Sequence, residues 1–246
     1  MRLNHLNRRL HESEYTERPK NKDELVKIIR VTTRKEGDNC DLNFIDVSRI
    51  KDMSYLFSDK CGLNFFNGDI SEWDVSNVED MEYMFNFSKF NKDISDWDVS
   101  SVEDMGRMFA NSKFNKDISK WNVSNVRYMC EMLADSGFNG DISKWDVSHV
   151  EEIFQMFASS NFNGDISKWD VSRVRDMTYM FANSKFNGDI SKWDVSGVEK
   201  MEFMFANSKF SKDISKWKTT SIELYTRIFK NCPLEKKPEY QPKFNV

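Results

Sequence analysis

Two hydrophobic spacings alternate along this chain. In Trp145-Asp146-Val147 and its equivalents the apolar residues stand two apart, the spacing of a strand that sends alternate side chains into a core. In Val78-x-x-Met81-x-x-Met84-Phe85 they stand three and four apart, the spacing of one helical face. Between the two lies a serine three residues before a glutamate, as in Ser76/Glu79, Ser100/Glu103, Ser148/Glu151 and Ser196/Glu199, which is the spacing of a helix capping box. The pattern therefore predicts a short strand, a capped helix of about ten residues and a return loop. A helix that short is marginal in water, so packing has to hold it.

The whole pattern recurs every 24 residues, with tryptophan at Trp73, Trp97, Trp121, Trp145, Trp169, Trp193 and Trp217. No such unit can bury its apolar face alone, so neighbours must stack, with contacts confined to adjacent units. A buried indole removes about 150–250 Å² from water, worth roughly 4–6 kcal/mol gross at 25 cal/mol per Å². The expected fold class is α/β: a leucine-rich-repeat-like solenoid of about eight strand–helix repeats with a helical N-terminal cap. Residues 1–21 read as a polar basic tail and 22–40 as a capping helix. Residues 41–217 read as the repeat solenoid and 218–246 as a C-terminal cap and tail. The first repeat departs from the pattern, with Ile45 in the tryptophan position and an insertion at Cys61-Gly62-Leu63-Asn64. For the capping helix, Asn21-Lys22-Asp23-Glu24 supplies the start, Leu25, Ile28 and Ile29 the apolar face, and Gly37 the stop.

Charge narrows the function classes. With 36 Lys and Arg against 40 Asp and Glu the net charge is −4, which argues against a partner whose affinity rests on neutralised phosphates. Cys40, Cys61, Cys130 and Cys232 form no CxxC pair and no metal-ligand cluster. They read as free thiols, although Cys40 and Cys61 flank the first turns closely enough for a bridge in an oxidising compartment. Residues Met1 to Lys20 lack the apolar core of a signal peptide, and no stretch has the length of a membrane span. The expectation is a cytoplasmic protein, with the cell surface as the alternative.

The string F-N-G-D-I-S-K-W-D-V-S followed by V-x-x-M-x-x-M-F-A-N-S, seen from Phe186 to Ser208 and nearly whole from Phe162, closely resembles the BspA-like leucine-rich-repeat family, a Mycoplasma-type surface-protein repeat of unknown function. The resemblance covers residues 41 to 229. It implies a solenoid that acts through binding, often at a bacterial surface. It also implies two alternatives: a secreted or surface adhesin, and a phage- or mobile-element-encoded protein that binds a host factor.

In a stacked array chemistry appears as a column. Asp69, Asp93, Asp117, Asp141, Asp165, Asp189 and Asp213 form a complete acidic column. Its structural reading is a set of carboxylates accepting backbone N–H groups, and its functional reading a row of calcium sites, which lacks the six to eight oxygens calcium takes. Beside the tryptophans, Lys120, Lys144, Lys168, Lys192 and Lys216 follow Glu72 and Asp96, so the expected strand face runs from acidic to basic. At one position of the expected helix stand Tyr55, Tyr83, Arg107, Glu131, Gln155, Tyr179 and Phe203, types that either pack or serve as binding hot spots. The methionines of the M-x-x-M-F frame read as core. His5, His11 and His149 have no repeated partner, and no nucleophile, phosphate-loop or dinucleotide motif is present.

The expected function is a non-enzymatic protein-binding scaffold without cofactor or metal, monomeric or weakly oligomeric, engaging a protein partner and no nucleic acid. Its candidate partner-binding residues are Lys120, Lys144, Lys168, Lys192, Lys216, Tyr83, Arg107, Tyr179 and Phe203, and its structural core is the seven tryptophans. A calcium- or glycan-binding solenoid is the remaining alternative.

Overall fold

The computed structural model describes residues 15–244. His5, His11 and most of the basic tail lie outside the described residues.

The 24-residue units stack one on another in register. Equivalent aromatic side chains lie face to face: Trp73 and Trp97 at 6.5 Å, Phe85 and Phe109 at 5.5 Å, Phe90 and Phe114 at 6.4 Å between ring centroids. The tryptophans point inward, Trp73 being 1% exposed and Trp217, the most exposed of the seven, 6%. Each indole N–H donates to a carbonyl of the preceding unit, Trp73 Nε1 to Leu42 O at 3.0 Å and the other six to an isoleucine, as Trp97 Nε1 does to Ile70 O and Trp145 Nε1 to Ile118 O, both at 3.1 Å. The one polar atom of each buried ring is thereby satisfied. Val, Ile, Met and Phe columns fill the remaining interior in one continuous core.

The expected strand–helix unit does not form. Among the described residues the only α-helix is α1, Lys22–Glu36, and the pairing between units runs through single parallel bridges rather than extended strands. Those bridges link Asp52, Asp80, Asp104, Tyr128, Glu152, Asp176, Lys200 and Leu224 in turn. They fall in the segment read as helix, whereas W-D-V-S, read as strand, is a pair of tight turns in which Trp73 N–H donates to Ile70 O and Val78 N–H to Val75 O. The reason is spacing. Rings of successive units sit about 6 Å apart, and packed helices need 8–10 Å between axes.

The segment that replaces the helix is a zigzag of overlapping turns, and we refer to it as the ribbon. In one row Met81, Tyr83, Phe85 and Phe87 donate their N–H groups to Asp104, Gly106, Met108 and Ala110 of the next, while Met84, Asn86 and Ser88 donate three residues back within their own row. Half of the donors thus join units and half shape the turn, whereas a helix would spend all of them on itself. From the second row on, this geometry takes a left-handed residue twice per row. Tyr83 (φ 57°) and Phe87 (φ 54°) are one such pair, and Arg107 (φ 54°) and Asn111 (φ 56°) the next. Left-handed backbone costs a residue with a side chain about 1–2 kcal/mol, offset here by the inter-row hydrogen bonds and the buried Met and Phe columns.

The serine–glutamate capping box is also replaced. Ser76 N–H and hydroxyl both bond Asp74 Oδ1, at 3.1 and 2.6 Å, so the aspartate two residues earlier caps the turn. After the insertion, Gly68 of the regular F-N-G-D string makes a close approach, where a Cβ would stand 1.9 Å from the Cys40 carbonyl oxygen.

At the N-terminal end α1 lies over the first unit. Asn21 caps it by accepting from Glu24 N–H at 3.0 Å, Gly37 (φ 89°) ends it, and Leu25 and Ile29 are fully buried beneath it. At the C-terminal end two 3₁₀ turns, Pro233–Lys236 and Pro238–Tyr240, close the last unit, with Leu234 buried and Ile214 N–H donating to Tyr240 O at 3.0 Å. The four cysteines are free thiols, Cys40 and Cys61 included.

Candidate functional site

The D-I-S-x-W and D-V-S turns form one side of the stack. Each aspartate of the first acidic column accepts the N–H of the serine two residues on, as Asp93 does from Ser95 and Asp141 from Ser143, both at 2.9 Å. That backbone bond first, and the serine hydroxyl second, hold the carboxyls of Asp93, Asp117, Asp141, Asp165, Asp189 and Asp213 below their ordinary value. The column is therefore charged and internally bonded in every unit. Beside it, Asn91, Asn115, Asn139, Asn163 and Asn187 form a second ladder, each N–H donating to the side-chain oxygen of the asparagine one unit earlier at 2.8–3.0 Å.

Lys120, Lys144, Lys168, Lys192 and Lys216 stand on this side, each at the third position of an I-S-x-W turn. All five are exposed. They belong to a turn edge and not to a strand face, because the residues around them make no inter-unit bridge.

The ribbon forms a different side, and its left-handed column gathers the other candidates. Tyr55 and Tyr83 stack at 4.5 Å with 11° between their planes, and the Lys60 ammonium sits 3.7 Å from the Tyr55 ring centre. The Arg107 guanidinium lies 5.0 Å over Tyr83 and is ion-paired with Glu131. Farther along, Tyr179 and Phe203 stack at 4.7 Å, and Arg227 covers Phe203 at 5.7 Å. Tyr83, Arg107, Tyr179 and Phe203 are thus half-buried members of one column, separate from the lysines, and no hydrogen bond or ion pair among the described residues joins the two sets.

Electrostatics differ along the ribbon. Burial, and then the neighbouring carboxylates, push Asp104 and Glu82 above their ordinary pKa; burial raises Asp80, and beyond it Asp52 adds to the effect. These three acids flank the Tyr55–Tyr83 stack, and burial with the charge of Glu82 raises Tyr55 as well. Toward the other end the same bridge column carries Lys200, paired with Asp176 at 3.5 Å, and then Leu224. In the first rows Lys22 pairs with Asp52 and Lys51 with Glu79, both at 2.6 Å, while Asp80, Glu82 and Asp104 have no ion pair among the described residues.

Two aromatic residues outside the strand and helix spacings stand out in these rows. Phe65 and Phe87 are 53% and 54% exposed, with the Lys89 ammonium 4.5 Å from the Phe65 ring centre. Phe87 occupies the second left-handed position of its row, where later rows place Asn111, Asp135, Ser159, Asn183, Asn207 and Asn231. Asparagine and aspartate adopt that backbone most readily, so the later rows fit it and Phe87 does not. The signal was present in the sequence as an asparagine-rich column that begins with a phenylalanine. Together the rows present aromatic faces beside under-neutralised carboxylates, an arrangement that attracts a cationic side chain through both ring and charge.

A family model described as Mycoplasma protein of unknown function, DUF285, matches residues 27–137, 90–185 and 133–240 in three overlapping stretches. No curated protein matches the chain, and no solved structure does.

Proposed function

The chain belongs to that Mycoplasma DUF285 family, and from this premise we propose that it is a solenoid binding scaffold, non-enzymatic and free of cofactor, whose first ribbon rows engage a cationic segment of a protein partner. The observation that carries the reading is Phe87: a large apolar ring, 54% exposed, held in a left-handed backbone where its equivalents are mostly Asn or Asp. Strain and apolar exposure at one residue both oppose folding and are met together at binding surfaces.

Charge supports the choice of partner. Asp80, Glu82 and Asp104 repel one another, and a Lys or Arg side chain of the partner brought beside these carboxylates relieves that repulsion. Association of this kind gains on-rate and orientation from charge and weakens as salt rises. The exposed lysine column supplies a second contact on the turn side, and its charge also keeps that side soluble.

The test is a peptide array of Lys/Arg-rich segments probed with the wild-type chain and with Phe87→Asn and Glu82→Gln variants. Binding that falls with added salt and is lost in both variants supports the reading. Equal binding by all three proteins removes it.

A further inference from the structure

The two ends of the ribbon are finished differently. At the first row α1 takes the acceptors: the Lys22 ammonium donates to the Ser54 carbonyl at 3.2 Å and pairs with Asp52 at 2.6 Å. At the last row two donors are left among the described residues. In the row before it, Met201, Phe203, Phe205 and Asn207 donate their N–H groups to Leu224, Thr226, Ile228 and Lys230. The equivalent donors one row on are Tyr225, Arg227, Phe229 and Asn231, all aimed where a further row would lie. Asn231 N–H is taken by the Glu235 carboxylate at 2.8 Å, and the Tyr225 ring is stacked on Phe244 at 4.7 Å. Among the described residues the N–H groups of Arg227 and Phe229 meet no acceptor.

The side chains around these two donors also change. The bridge column, polar through its earlier rows, ends in Leu224, which is 43% exposed. Next to it opens a cleft of about 510 Å³ walled by Tyr225, Ile228, Phe229 and Phe244. Arg227, Lys230 and Lys243 are exposed around it, while the one acid in its lining, Glu235, is already bonded to Asn231.

We propose that this C-terminal edge is a docking surface that an extended acidic segment of a partner protein completes as one more row, giving alternate carbonyls to the Arg227 and Phe229 N–H groups and an apolar side chain to the cleft. Addition of a strand to an open edge draws affinity from main-chain bonds and specificity from alternate side-chain pockets. A second copy of this chain does not fit the role. Its first row is covered by α1, and two C-terminal edges brought together present donor to donor. The proposal is independent of the cationic site at the opposite end, and either can fail alone.

The test uses the full chain and a fluorescent peptide with the sequence of residues 78–88, an acidic row of this same repeat, with a scrambled peptide and one carrying Lys in place of its three acids as controls. Expected are saturable binding of the acidic peptide alone and slowed amide exchange at Arg227 and Phe229 by NMR. The double variant Arg227→Glu/Lys230→Glu should weaken binding by about tenfold or more, while Lys27→Glu, exposed on α1 at the opposite end, leaves it unchanged. Glutamate already occupies the equivalent left-handed position at Glu131 (φ 53°), so the double variant should melt like the parent. No binding, binding of the scrambled peptide, or protection that spares Arg227 and Phe229 each overturns the proposal.

Discussion

The turn side carries an aspartate in every full repeat and the ribbon side in only some rows, and Asp80 and Asp104 of the ribbon respond in the opposite sense to the turn-side carboxylates. On the turn side each carboxylate collects a backbone N–H two residues on and sits below its ordinary pKa, as at Asp93 and Asp189. On the ribbon Asp80 and Asp104 make the same local bond, to Glu82 and Gly106 N–H at 2.8 and 2.7 Å, yet burial and neighbouring acids push them up. The same hydrogen bond therefore does not decide the outcome; the surroundings do. Repetition is nearly strict where the column is self-satisfied and loose where it is not, which places the variable chemistry of this molecule on the ribbon.

The most severe way to break the comparison is to remove what both sides share. Trp145→Ala should destabilise the chain by about 3–5 kcal/mol, since it empties a buried site and strands the Ile118 carbonyl bond; urea denaturation reads the loss. A variant that unfolds with the parent would show that the indole column is not what couples the units.

Next in size is Phe87→Asn. Giving the second left-handed position the residue type that the later rows use should raise stability by about 1 kcal/mol, with binding of a cationic partner lost. The two readouts must move in opposite directions. A variant that binds as before detaches the strain from function.

The smallest effects are those of pH, and they sharpen the contrast by sign. For Asp93 the folded pKa is depressed, so its contribution is present above the ordinary carboxylate value of 3.8 and is lost as pH falls through the lower folded value. Asp93→Ala should therefore lower the melting temperature at neutral pH and matter less in acid. For Asp104 the folded pKa is raised, so the folded state takes up its proton first and gains stability as pH falls from the raised value toward 3.8. Asp104→Asn, which keeps the oxygen that accepts Gly106 N–H, should raise the melting temperature at neutral pH, with the gain vanishing in acid. Thermal melts of both variants across pH check the pair, and shifts of the same sign would erase the distinction.

Much of the interior was legible from spacing alone. The tryptophan period, the inward valines and the M-x-x-M-F core all concern which side chains leave water, and apolar periodicity reports that directly. The start and stop of α1 were legible for the same local reason, because Asn21 and Gly37 act on their immediate neighbours. The ribbon was not. Val78, Met81, Met84 and Phe85 have helical spacing, and one row in isolation offers no reason to refuse a helix. Nor did the column of Tyr55, Tyr83, Arg107 and Gln155 announce left-handed backbone, since none of those residues favours it.

The sequence by itself determined that this is a repeat protein of 24-residue units with one aromatic core, because burial depends on residue type and period. The tertiary structure alone decided where the units bond to each other, which residues bear strain, and that the Arg227 and Phe229 N–H groups meet no acceptor among the described residues. Those outcomes depend on the distance between neighbouring rows, about 6 Å between equivalent rings, and no single row contains that distance.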